Sequence, residues 1–322
     1  MNQQIVNLRA FAILLVVLGH SIIIYDNSFD LLTSDVQMPL FETIKHWISF
    51  VQMKLFISIS GFLLAYKCLR GNRILTSDFA KGKAVRLLVP YICVLLLYND
   101  PLKWMLKIPG YERPASFLMD QLLGVNCAHL WYLLILMVVC YPLFCWAGKA
   151  LWKHAIIIGT FLVINYFSGR IPKYYQLNEA GYYLVFFHLG YLVNLVEQEY
   201  HNRPEFAKNR IIQLLIFVCS VIVEYGIYKI TSIGFGIYLS IGVLLLFYIF
   251  MPGFNNRFIN EISKRSYGLY LFHSPLIYIT ASFCPNINPW LMLFVNFVCF
   301  GSVAYLITIT ISKSRLRFII GE

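Results

Sequence analysis

The stretch LRAFAILLVVLGH at residues 8–20 places an arginine and a histidine in otherwise apolar text. Arg9 and His20 are eleven positions apart. At about 100° per residue that is roughly three turns plus 20°, so a helix would carry both on one face, about 16 Å apart along its axis. A guanidinium holds anions through a fixed fork of donors, and a neutral imidazole is available near pH 7 to accept a proton. Lys54, His188, Glu224 and His273 also lie within apolar stretches, and His129 lies at the edge of one. Ionisable groups are expensive in lipid, so they usually face the interior of a helix bundle and mark function. Plainer readings stand beside that one. Arg9 can snorkel to an interface, His20 and His188 can be buried histidines bonded to backbone carbonyls, and Lys54 and Glu224 can form a structural ion pair between spans.

The elements that must position these groups follow from composition. Of 322 residues, 59% are hydrophobic and 13% charged, and mean hydropathy is +0.69, outside the balance of a soluble domain. A membrane span takes roughly 17–25 mainly apolar residues. Scanning on that basis predicts about ten spans, at 5–25, 47–66, 85–99, 129–147, 153–168, 181–196, 211–228, 234–251, 266–284 and 289–311. The expected fold class is therefore all-α, a polytopic membrane bundle forming one domain over residues 1–322, since no loop is long enough for a second core. The first apolar stretch is too long for a cleaved signal and carries Arg9, so it reads as a span.

With the N-terminus inside, roughly seventeen lysines and arginines fall in the inner loops and tail against about seven outside, which puts both termini in the cytoplasm. That loop-by-loop distribution also accounts for the net charge of +11 and argues against a nucleic-acid-binding face. The eight cysteines are scattered without a C-x-x-C pair; they read as small apolar residues, neither a disulfide framework nor a metal site. In this topology His20, Lys54, His129, His188 and Glu224 fall in the outer half of the membrane. Arg9 and His273 fall in the inner half, beside the basic run KGKAVRLLVP at 81–90. Two polar zones on opposite sides suit a reaction whose substrates arrive from opposite faces.

At these residues the chain resembles the acyltransferase-3 family of integral membrane O-acyltransferases, which modify bacterial glycans and lipids. Five pieces carry the likeness, in the family's order. They are Arg9 and His20 in the opening span, LFISISGFL at 55–63, KAVRLLVPYI at 83–92 with Lys83 and Arg86 three apart, HLWYL at 129–133, and SYGLYLFHSPL at 266–276. Lysine stands at 83 where arginine is common. Where one branch of the family reads FHMPLFF, this chain has VQMKLFI, so Gln52 replaces a histidine and Lys54 a proline.

The resemblance implies an acyl-CoA-dependent O-acyltransferase. It would move an acyl group, usually acetyl, from cytoplasmic acyl-CoA to a hydroxyl of a cell-surface or lipid-linked glycan on the outer side of a bacterial cytoplasmic membrane. His20 is then the base that takes the hydroxyl proton, with Glu224 or Asp26 holding its tautomer. Lys83 and Arg86 would meet the donor's phosphates, Arg9 would bind its pyrophosphate or guide its arm, Ser60 would belong to the same donor site, and His273 to that site or to helix packing. His129, Trp131, Lys54 and His188 are the candidates for the acceptor sugar, with Lys54 suited to an anionic group on either substrate or to an ion pair with Glu224. No metal is required, lipids are the surroundings, and a homodimer is compatible with the pattern. The rival is a transporter or flippase of a lipid-linked glycan or small polar metabolite. It predicts related halves with broken helices near the midplane, and no such symmetry is evident in the sequence.

Overall fold

A computed structural model describes residues 2–25, 34–70, 77–109, 119–125, 127–137, 151–199 and 235–321, together with residues 32, 215, 218 and 222. The described residues are helical with no strand among them. Helix α1 (Gln3–Ser21) starts where the Asn2 side chain accepts the Gln4 amide proton at 3.1 Å, satisfying one of the donors that a helix start leaves open. Helix α2 (Pro39–Arg70) begins on a proline, whose missing N–H costs nothing in a first turn. Helix α3 (Ser77–Val94) passes through Pro90 into a π-helical stretch, Leu95–Asn99, and on into α4 (Asp100–Met105). The short α5 (Trp131–Ile135) precedes α6 (Leu151–Phe167), α7 (Leu177–Glu199) and α8 (Phe235–Phe250). Helix α9 (Arg257–Phe283) is capped by the Asn256 side chain. Finally α10 (Pro289–Leu293) runs through a second π-helical stretch, Phe294–Phe300, into α11 (Gly301–Lys313), and a 3-10 turn follows at Arg315–Ile320.

Among the described residues four helical stretches are long and apolar enough to cross a membrane: Gln3–Ser21, Pro39–Lys67, Lys81–Met105 and Pro289–Lys313. The expected spans at 129–147 and 211–228 lie partly or largely outside the described residues. The expected span at 85–99 proves longer, because Pro90 and the π-helical stretch interrupt the hydrogen-bond ladder without ending the helix. Lys45 and Lys103, which the sequence reading counts in outer loops, lie inside α2 and α4 and are buried. Lys45 Nζ donates to Ser49 Oγ at 2.8 Å, and Lys103 Nζ sits 4.7 Å from the centre of the Tyr278 ring, so each charge meets a hydroxyl or a π face.

Two packings matter for function. Helices α1 and α9 run side by side in the same direction: Gln3 meets Asn260 at 2.7 Å, Arg9 meets Ser266 at 2.6 Å, and His20 meets His273 at 2.7 Å. Helices α2 and α7 cross with almost no side chain between them, Gly61 facing the Phe187 carbonyl and Gly190 the Ser58 carbonyl. Small residues at a crossing let backbones approach, which is how helices gain packing energy in lipid. Around these contacts lies one continuous apolar core that includes Leu8, Ile13, Leu55, Ile57, Phe186 and Tyr191, all fully buried.

Candidate active site

A cavity of about 370 Å³ opens beside the N-terminal half of α1. Its cations come from three helices: Arg9 from α1, Lys67 from α2, and Lys83 and Arg86 from α3, with Ser60 and Tyr132 also in the wall. No Asp or Glu is among its described lining residues, so the cavity suits an anionic ligand. Arg9 is held by its Nε, which donates to Ser266 Oγ on α9, and its terminal nitrogens carry no other hydrogen bond among the described residues. Arg86 is held through its backbone. Pro90 has no N–H, so the Arg86 carbonyl one turn earlier loses its helical partner, and the Tyr267 hydroxyl donates to that oxygen at 3.0 Å.

At the other end of α1 three histidines meet. His20 Nδ1 and His273 Nε2 are 2.7 Å apart, and His273 Nδ1 is 2.8 Å from the Leu269 carbonyl. His20 keeps partial exposure, whereas His273 is 1% exposed. His129 packs its ring 5.7 Å from that of His273, edge to face. Its Nε2 lies 3.1 Å from the Leu271 carbonyl. That carbonyl is again one freed by a proline, since Pro275 cannot donate to it. His129 therefore donates from Nε2 and carries its lone pair on Nδ1, a buried atom with no partner among the described residues. The Tyr270 hydroxyl donates to the His129 backbone carbonyl.

The end of α1 is fixed around His20. Asn296, in the second π-helical stretch, donates to the Ser21 carbonyl at 3.1 Å and accepts from Thr280 at 2.6 Å. A Cβ on Gly19 would fall 2.6 Å from Gln52 Oε1, so Gln52 packs against the residue preceding His20. Between the cavity and the histidines lies an aromatic layer. Phe56 and Tyr132, both in the cavity wall, contact Tyr270 with ring centres 5.8 and 5.4 Å away, and Tyr270 contacts His129 at 5.7 Å.

The sequence-derived residues thus divide. Arg9, Ser60, Lys83 and Arg86 share the cavity, while His20, His129 and His273 share the second cluster. His273 was expected on the Arg9 side; it lies beside His20 because α9 starts at Arg257, nine residues before the expected span. It sits sixteen residues along that helix, about 24 Å, and His20 seventeen along α1, about 26 Å. Trp131 stacks on Tyr183 with ring centres 5.0 Å apart. His188 lies against His154, Nε2 to Nδ1 3.3 Å, between α6 and α7. Glu224 and Asp26 lie outside the described residues. Tyr132, Tyr267, Tyr270 and Asn296 are not among the sequence-derived site residues, since aromatic and amide side chains in apolar text carry no signal of their own; Gln52 stands out there only as a departure from the family pattern, and Lys67 only as an inner-loop charge.

Lys54 faces away from the histidines. Two residues on a helix are about 200° apart, so with Gln52 against α1 the Lys54 side chain points to α8, where Nζ donates to Ser240 Oγ at 2.7 Å and lies 4.2 Å from the Phe50 ring centre. Lys54→Met is expected to leave the thermal midpoint of the protein in lipid unchanged or raised. A buried charge replaced by an apolar group of similar size is often neutral or stabilising, and Ser240 still donates to the Gly236 carbonyl. A marked fall in the midpoint would show that the ammonium holds the fold.

Helices of membrane-crossing length, a cation-lined cavity at one end of α1 and a buried imidazole cluster at the other are the features of a membrane protein with a polar interior. The family model described as an acyltransferase domain, acyltransferase-3, matches residues 2–313. The chain belongs to that family and is a membrane acyltransferase. No curated protein and no solved structure matches it.

Proposed function

We propose that the chain transfers an acyl group, specifically acetyl, from cytoplasmic acyl-CoA to a hydroxyl of a glycan or lipid-linked sugar on the far side of a bacterial cytoplasmic membrane. The bundle has about ten spans in this reading, with both termini inside. The observation that supports it is the layout along α1, with four cations around a cavity at one end and the imidazoles at the other. The donor's phosphates occupy the cavity against Arg9, Lys67, Lys83 and Arg86. Its thioester arm extends past Ser60 and Tyr132 toward His20. A sugar hydroxyl is a weak acid, so removal of its proton as the bond to the acyl carbon forms is worth roughly 10²–10⁴-fold. His20 takes that proton and returns it to the departing thiolate. In this reading Ser60 donates to Tyr132, and the Tyr132 hydroxyl turns its own proton toward the charge developing on the acyl oxygen.

The test is NMR of the surface glycan from cells carrying the wild type or no copy of the gene. O-acyl signals that depend on the gene support the reading, and identical glycans overturn it. Within the same reading Arg86→Ala is expected to raise the KM for acetyl-CoA by about 10- to 150-fold with a smaller change in kcat, since a charged hydrogen bond is worth about 1.5–3 kcal/mol. Initial rates in isolated membranes over a range of acetyl-CoA concentrations measure it, and an unchanged KM removes Arg86 from the donor site.

A further inference from the structure

We propose that His273 is the positioning residue of the base: it fixes the tautomer of His20 and shares the proton that His20 removes. The proposal rests on the acyl-transfer reading above and adds to it a second imidazole, in the place where a carboxylate would ordinarily stand.

The argument starts from the Leu269 carbonyl, which can only accept. His273 Nδ1 lies 2.8 Å from it, so that nitrogen carries the hydrogen. A neutral imidazole has one N–H, which leaves His273 Nε2 as a lone pair. The 2.7 Å contact between His273 Nε2 and His20 Nδ1 then requires the hydrogen on His20 Nδ1. By the same rule His20 Nε2 is bare. No other hydrogen bond engages the His20 ring among the described residues, and the side chain keeps partial exposure where His273 has almost none. The His20 nitrogen left unengaged among the described residues is therefore the one able to accept a proton.

The chain of donors also places the charge. When the hydroxyl O–H bond breaks, the proton goes to His20 Nε2 while the oxygen forms its bond to the acyl carbon. The positive charge of the imidazolium is then shared through the Nδ1–H bond with His273 Nε2. The C–S bond breaks with its electron pair on sulfur, which takes the proton back from His20 Nε2, and the pair returns to its starting tautomers. A neutral acceptor does this without the cost of keeping a carboxylate ionised at that depth in lipid. Both His20 nitrogens are thereby assigned, Nδ1 to His273 and Nε2 to substrate. Among the described residues no carboxylate bonds to either of them, and His273 Nδ1 is held by the Leu269 carbonyl.

The experiment uses the full chain in lipid bilayers with [14C]acetyl-CoA and envelope glycan from cells lacking the gene. His273→Ala is expected to lower kcat by roughly 100-fold or more with the KM for acetyl-CoA within about threefold. Loss of the correct tautomer in a base of this kind costs up to about 10⁴. His273→Gln, whose carboxamide oxygen can accept from His20 Nδ1, is expected to recover to within about tenfold of wild type. ¹⁵N NMR of histidine-labelled protein, with His20 assigned by its substitution, should show the Nδ1–H tautomer for His20 in the wild type and in His273→Gln, and a mixture in His273→Ala. An alanine variant retaining more than about a tenth of wild-type kcat, or a wild-type His20 that carries its hydrogen on Nε2, overturns the proposal. Absence of acyl transfer by the wild type would sink the functional reading instead, and the tautomer measurement would still decide this one.

Discussion

His20→Ala is expected to lower acyl transfer by about 10²–10⁴-fold while the protein accumulates at its normal level in the membrane. The two halves of that expectation have separate physical causes. The rate falls because, among the described residues, no other imidazole at the end of α1 joins an unengaged nitrogen to partial exposure: the bare Nδ1 of His129 is buried. His273 is sealed behind His20, and His129 spends its Nε2 on the Leu271 carbonyl. The fold survives because α1 is held by groups the substitution leaves in place. Ile13, Val16 and Val17 remain buried, and Asn296 still donates to the Ser21 carbonyl. The stability cost is the unpaired His273 Nε2, about 1–3 kcal/mol for a buried acceptor that loses its partner. Radiolabelled acetyl incorporation into the envelope, normalised to protein in the membrane, measures the outcome. Undiminished incorporation would remove His20 from the chemistry, and a variant that fails to accumulate would show that the imidazole pair is needed for folding.

How much of this is legible from the residues depends on the kind of signal. Helix content and the long apolar spans follow from hydropathy, because lipid leaves no other way to satisfy a backbone. The shared face of Arg9 and His20 follows from helical spacing, and the structure sets one at each polar zone. His273 was misplaced by about half a membrane thickness because α9 begins well before its apolar portion, and hydropathy cannot see a helix that starts in polar text. The partners of Pro90 and Pro275 were visible in principle. A proline inside a helix frees the carbonyl four residues earlier, and here those two carbonyls, on Arg86 and Leu271, are the ones that Tyr267 and His129 engage. Which donor comes to each carbonyl is a matter of tertiary packing and has no local trace. The buried Lys45 and Lys103 show the limit from the other side. A charge count treats every lysine as a solvated anchor, whereas these two lie within helices against Ser49 and Tyr278.

Gly190→Val is expected to deplete the folded protein and abolish transfer with it, although position 190 touches neither polar zone. A Cβ at Gly190 would overlap the Ser58 carbonyl, and one at Gly61 would overlap the Phe187 carbonyl. Neither obstacle is a side chain that can swing aside. Both are backbone, so α2 and α7 must separate. Overpacking a core with flexible neighbours costs about 1–3 kcal/mol, and a backbone clash at a crossing should lie at or above the top of that range. The consequence for function comes through α2, which carries Phe56, Ser60 and Lys67 into the cavity wall and Gln52 against Gly19. A shift of that helix by even an ångström moves the donor cavity relative to His20, whose own position is fixed by α9 and Asn296. Gly159→Val is the control, since a Cβ there meets nothing within 4 Å and the residue is exposed on α6. Thermal midpoints in detergent and membrane levels by quantitative blotting separate the two. If Gly190→Val matches Gly159→Val in both, the close crossing of α2 and α7 is wrong, and with it the account of how α2 brings the donor cavity to the base.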